Sequence, residues 1–148
     1  MRPHSVFDKS APPTIDHVAI AVWSIADALS MYTERFRLRL TDNEVLPHLG
    51  VQLAFLEGTG ATAIQLVSPV DGSTDDKAGI RKFLEDRGEG LHHVCFQVAS
   101  IDGFVSRWTD PSAIAKFKGG RNLQACFLPD RANGALIELV ETTTDPPH

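Results

Sequence analysis

Short apolar runs recur along the chain, separated by polar and glycine-containing stretches. His17–Val22 (HVAIAV) and His93–Val98 (HVCFQV) have the length and β-branched content of buried strands. Each is followed by a serine, Ser24 or Ser100, and then by apolar residues at helical spacing: Ile25, Leu29 and Tyr32, or Ile101, Val105 and Trp108. Those serines suit helix N-caps, with Asp27 and Asp102 well placed against the positive end of the helix. GVQLAFLEG and TAIQLVSP read as two further strands of the first half, and RLRLTD as another. NLQACFLP and ALIELVE are their counterparts in the second half, with a shorter piece near AIAKF. A separate helix is expected over 76–87, acidic at its start and stopped by Gly88.

The pattern is written twice. Laying Ile15–Glu34 over Leu91–Asp110 at one constant offset puts His17 on His93, Val18 on Val94, Val22 on Val98, Ser24 on Ser100 and Ile25 on Ile101. Further along, AIQLV (Ala63–Val67) matches LIELV (Leu136–Val140), which sets Gln65 on Glu138. Two matches in the same order make duplication the firmest reading of the chain. The expected architecture is α+β, with two βαβββ modules paired around a shared cleft. Module one spans 14–70 and module two 90–141 within a single domain, 14–141. Residues 1–13 form a flexible lead-in and 142–148 a tail.

Alternation along the first strand of each copy gives the histidine a face shared with Ala19 and Ala21, or with Cys95 and Gln97. The opposite face, Val18, Ile20 and Val22 in the first copy, suits packing against the helix. Gln65 and Glu138 interrupt otherwise apolar strands, and a buried polar group requires a partner. His17, Gln65, His93 and Glu138 would meet under pseudo-twofold pairing of the modules. Two imidazoles, an amide oxygen and a carboxylate form a mixed N/O donor set for a first-row divalent metal. By parity His92 points the other way, as a surface, loop or outer-sphere group.

Composition narrows the classes. The chain has 148 residues, 43% hydrophobic and 22% charged, in the range of a soluble folded protein. A net charge of −5 argues against a general nucleic-acid surface. No apolar run reaches membrane-spanning length. Cys95 and Cys126 both fall inside expected strands, which fits a reduced cytoplasmic protein better than a disulfide framework.

IDHVAIAV, GVQLAFL, IQLVSP, FLEDRGEGLHHVCFQV and GALIELVE run in order from about Thr14 to Glu141. In these motifs the chain resembles the vicinal oxygen chelate (glyoxalase/bleomycin resistance/dioxygenase) superfamily, and within it the methylmalonyl-CoA epimerases. The RGEGLHH junction is the more particular of the marks. The resemblance implies that His17, Gln65, His93 and Glu138 hold one divalent ion (cobalt, nickel, zinc or manganese), and that Glu138 also accepts a proton. It implies abstraction of the proton alpha to the carbonyl of an acyl-CoA thioester, and a homodimer.

Three departures bear on the exact reaction. Leu53 stands where some epimerases carry a second glutamate, the stretch between Trp108 and Leu123 is short, and Phe127–Asp130 (FLPD) lacks the family's histidine. Lys116, Lys118 and Arg121 are candidates for coenzyme A phosphates, and Gln97 for a substrate contact. The competing readings are a glyoxalase I-type lactoylglutathione lyase, an iron(II) ring-cleaving dioxygenase, and a metal-free antibiotic-binding protein on the same fold. Gln65 as a fourth donor argues against the dioxygenase, and the filled donor set against the binding protein.

Overall fold

The computed structural model describes residues 12–70 and 76–142. The expected lead-in and tail lie almost entirely outside the described residues. Contacts divide the chain into two compact units, 17–93 and a second unit made of residues up to 16 together with 94 onward. Each is described in turn.

In the first unit, β1 (Thr14–Ala21) leads into α1 (Ile25–Ser30), then β2 (Arg39–Leu46), β3 (Val51–Glu57), β4 (Ala63–Pro69) and α2 (Ile80–Arg87). The strands lie in the order β2-β3-β4-β1. β1 runs parallel to β4, and β3 runs antiparallel to both β2 and β4. The Ser24 hydroxyl accepts from the Asp27 amide at 3.2 Å, which starts α1. The helix then widens into a π-helical segment, Met31–Arg35, that ends where Arg37 adopts a φ of 59°. Ile20, Ile25, Leu29 and Tyr32 pack with Val22, Leu56 and Leu66 on one face of the sheet. On the other face Ala21, Val51, Leu53 and Val67 meet Ile80 and Leu84 of α2. Burying a leucine such as Leu56 or Leu66, neither of them exposed at all, is worth about 2 kcal/mol.

The linker helix begins at Ile80, later than its acidic signal. Asp76 nevertheless serves it, since its two carboxylate oxygens accept from the amides of Arg81 at 2.9 Å and Lys82 at 3.0 Å. Gly79, at a φ of 73°, makes the bend between them, and Gly88, at a φ of 77°, ends the helix. The Lys82–Asp86 ion pair on its surface is exposed and contributes little.

The second unit repeats this plan on a smaller scale. β5 (Gly90–Val98) starts in the first unit and continues here, followed by α3 (Ile101–Val105), β6 (Lys116–Lys118), β7 (Gln124–Phe127) and β8 (Ile137–Glu141). The order is β5-β8-β7-β6, with β5 parallel to β8 and β7 antiparallel to β8 and β6. The Ser100 hydroxyl accepts from the Gly103 amide at 3.1 Å, as Ser24 does in the other copy. Val98, Ile101, Val105, Ile114, Cys126 and Leu139 form the core beneath α3. Between Trp108 and Leu123 the second module holds β6, three residues long against the eight of β2.

The duplication extends to strand register. Val18↔Ile64, Ala19↔Gln65 and Ile20↔Leu66 in one unit correspond, residue for residue, to Val94↔Ile137, Cys95↔Glu138 and Phe96↔Leu139 in the other. A one-residue slip would invert every face, so agreement over three successive pairs means that both units point the same positions the same way. The matched caps give a simple test. Ser24→Ala and Ser100→Ala are each expected to lower stability by about 1 kcal/mol, read from urea unfolding. Values near zero for both would show that the caps are incidental.

Candidate functional site

His17, Gln65 and His93 belong to the first unit and are all buried. His17 lies on β1 with small neighbours. Ala19 follows on the same face, and Ala63 of β4 is its register partner. Alanines beside the imidazole leave it room that larger side chains would fill. Gln65 lies next along this face of β4, between Ala19 on β1 and Phe55 on β3. The Phe55 ring meets His17 edge-to-face, with centroids 5.4 Å apart. The rings of His17 and His93 approach to 5.5 Å at an interplanar angle of 75°, and each offers a ring nitrogen within 4.8 Å of the other's. Two buried imidazoles at this spacing can bind one cation through their neutral nitrogens.

Glu138 lies in the second unit, on β8, with Cys95 of β5 on one side and Phe127 of β7 on the other. Phe127 therefore flanks Glu138 as Phe55 flanks Gln65. The match is present in the sequence, where Gln52–Leu56 (QLAFL) resembles Gln124–Leu128 (QACFL) within the two counterpart strands. Both neighbouring thiols are held in the neutral form. Burial pushes Cys95 far up, reinforced by the negative charges of Glu138 and Asp16, and burial raises Cys126 to about 11. Neither is bridged. A thiol that stays protonated is a poor nucleophile, and beside the carboxylate Cys95 is an uncharged neighbour.

Other candidates have defined partners. The Gln97 side-chain amide donates to Asp16 at 3.4 Å and its oxygen accepts from the Thr14 hydroxyl at 3.4 Å, while Arg121 approaches Asp16 to 3.6 Å. Asp16 is thus a junction at the strand entrance. Lys116 pairs with Asp102 at 2.6 Å, and Lys118 is exposed at the end of β6. Phe117 stacks on Phe127 at 5.6 Å. Leu53 is packed among Ala21, Val51, Val67 and Leu84, so its place is apolar core.

His92 departs from the parity expectation. Its Nδ1 lies 2.7 Å from Nδ1 of His93, and its ring meets Phe83 of α2 edge-on at 4.9 Å.

Comparison with known proteins agrees with the fold. Residues 16–127 match the glyoxalase/bleomycin resistance protein/dioxygenase superfamily. YqjC of Bacillus subtilis, an uncharacterised protein, is 30% identical over 136 residues, covering 88% of this chain and 94% of its own. The mitochondrial methylmalonyl-CoA epimerase of Mus musculus is 29% identical over 147 residues, covering 93% of this chain and 80% of its own. Among solved structures, a variant of Streptomyces coelicolor methylmalonyl-CoA epimerase in complex with 2-nitronate-propionyl-CoA superimposes with a TM-score of 0.76. It is 25% identical and is covered in full by 90% of this chain. With a βαβββ unit repeated in matching register and a family match across most of its length, the chain belongs to the glyoxalase/bleomycin resistance protein/dioxygenase superfamily.

Proposed function

We propose that the protein is a divalent-metal-dependent epimerase of the methylmalonyl-CoA type, inverting the carbon between a thioester and a carboxylate. The observation that carries this reading is the repeated register. It gives Gln65 and Glu138 equivalent buried positions, each on the strand paired in parallel with a histidine-bearing strand. In this reading His17, Gln65, His93 and Glu138 hold the ion together. The donor set fits a first-row divalent cation, with two imidazoles, a neutral amide oxygen and one carboxylate to offset part of the charge. Such an ion, when bound, acts as a Lewis acid toward the substrate oxygens.

The remaining chemistry belongs to the chain. A carboxylate oxygen of Glu138 takes the α-proton, and the neutral Cys95 thiol beside it adds no competing negative charge. Phe55 and Phe127 supply apolar walls next to Gln65 and Glu138, which keep water from competing for the proton. Leu53 carries no proton, so reprotonation from the second face uses a different donor from the glutamate of two-glutamate relatives. Gln97, Lys116, Lys118 and Arg121 are the proposed contacts to the acyl-CoA substrate. Lys116 and Arg121 would exchange Asp102 and Asp16 for its phosphates. A homodimer in the cytoplasm completes the reading.

Incubation with methylmalonyl-CoA in deuterated water, followed by NMR, tests the reaction directly. Metal-dependent exchange at the α-carbon is expected, and an intact metal site without exchange would redirect the reading to another substrate. The ion is tested by thermal unfolding with cobalt, nickel, zinc or manganese. A ligand at 100 times its Kd stabilises the folded state by about 2.7 kcal/mol. This corresponds to a Tm rise of roughly 5–10 °C for a chain of this size. His17→Ala should abolish the rise. No shift with any of the four ions would remove the metal from the account.

A further inference from the structure

We infer that His92 is a positioning residue, holding the His93 ring in the tautomer and orientation that direct its Nε2 lone pair toward a metal; the metal half of this inference rests on the proposed function. Adjacent residues in a strand normally point to opposite faces and do not touch. Here the two Nδ1 atoms lie 2.7 Å apart, and the rings meet edge-to-face with centroids at 5.0 Å. The contact is braced from behind. Phe83 of α2 packs edge-on against His92 at 4.9 Å and 78°, and the Arg87 guanidinium sits 5.7 Å from the centre of the Phe83 ring. The linker helix therefore reaches His93 through His92.

The chemistry follows from the atoms in contact. A hydrogen bond between two Nδ1 atoms needs one ring to donate and the other to accept. With His93 donating, its proton is held on Nδ1 and its Nε2 has a lone pair. His92 then accepts at Nδ1 and carries its own proton on Nε2. Histidines that bind metals commonly donate their other ring N–H to an acceptor, which orients the ring and raises its basicity. The usual acceptor is a carboxylate, carbonyl or water; here a neighbouring imidazole occupies that place. His93 is buried, and the hydrogen bond at its Nδ1 decides which of its two ring nitrogens carries the lone pair.

The test uses the full chain and two readouts. In the metal-free protein, ¹⁵N-resolved NMR of the histidine rings should show His93 protonated at Nδ1. Protonation at Nε2 would overturn the inference whether or not the protein binds metal. Cobalt affinity is then measured calorimetrically for the wild type and three variants. His92→Phe keeps a ring against Phe83 but has no acceptor, and should weaken cobalt binding about 10- to 100-fold. His92→Asn presents an oxygen near the Nδ1 position, and should restore affinity to within about threefold of wild type. Should His92→Phe not fold, His92→Gln replaces it, because its amide lies beyond the Nδ1 position and should fail to rescue. Cobalt binding unchanged in His92→Phe or His92→Gln refutes the positioning role and leaves the proposed function standing. A wild type with the Nδ1-protonated tautomer but no cobalt uptake does the reverse.

Discussion

Glu138→Gln is expected to slow α-proton exchange in methylmalonyl-CoA by about 10²- to 10⁴-fold, the usual contribution of a positioned general base. The substitution is close to isosteric. It keeps an oxygen donor but removes the charge and the ability to accept a proton. The fold should accommodate it, because glutamine is the residue that the other copy already buries at this position, as Gln65. Metal content measured alongside the rate separates the two roles given to Glu138. Loss of exchange with the ion retained identifies the proton acceptor. Loss of both shows that the charge is needed chiefly for binding. Exchange at the wild-type rate would sink the assignment of Glu138 altogether.

Leu66→Ala should be the most damaging of the conservative core truncations, costing about 2–5 kcal/mol. Leu66 is completely buried on β4, paired with Ile20 on one side and Ala54 on the other, and packed with Val22, Ile25 and Leu56. These neighbours sit on β1, β3, the turn after β1 and the start of α1, so they cannot all close on the space left by the missing methyls. The expected readout is a Tm lower by roughly 5–15 °C. Because Leu66 adjoins Gln65 on the opposite face, the same protein at low temperature should still bind cobalt. A cost below about 1 kcal/mol would mean that the site collapses freely and that β4 is less central than its burial indicates. Leu139 occupies the equivalent place in the second unit and is only 1% exposed, so Leu139→Ala is a matched control.

Much of this was legible in the sequence because it depends on local rules. Alternation in HVAIAV and HVCFQV assigns His17 and His93 to the same face as Ala19 and Cys95, and the burial of these residues agrees. Ser24 and Ser100 announced helix starts because capping involves only residues three apart. Gly88 stops α2 through its own φ. Repetition of the unit marked Gln65 and Glu138 as a matched pair before any register was known.

Other features came only from tertiary structure, since they depend on which residues meet across the fold. Strand pairing set Phe55 beside Gln65 and Phe127 beside Glu138, over chain separations that no local pattern encodes. Packing of α2 brought Phe83 against His92, and the ring was then directed at His93 instead of following strand parity. Lys116 and Arg121 looked like cations awaiting phosphate, yet the fold gave them Asp102 and Asp16. Period and capping act through the backbone over a few residues and can be read from the order of side chains. Ion pairs, ring contacts and register require distant segments to be brought together first, and three-dimensional packing decides those.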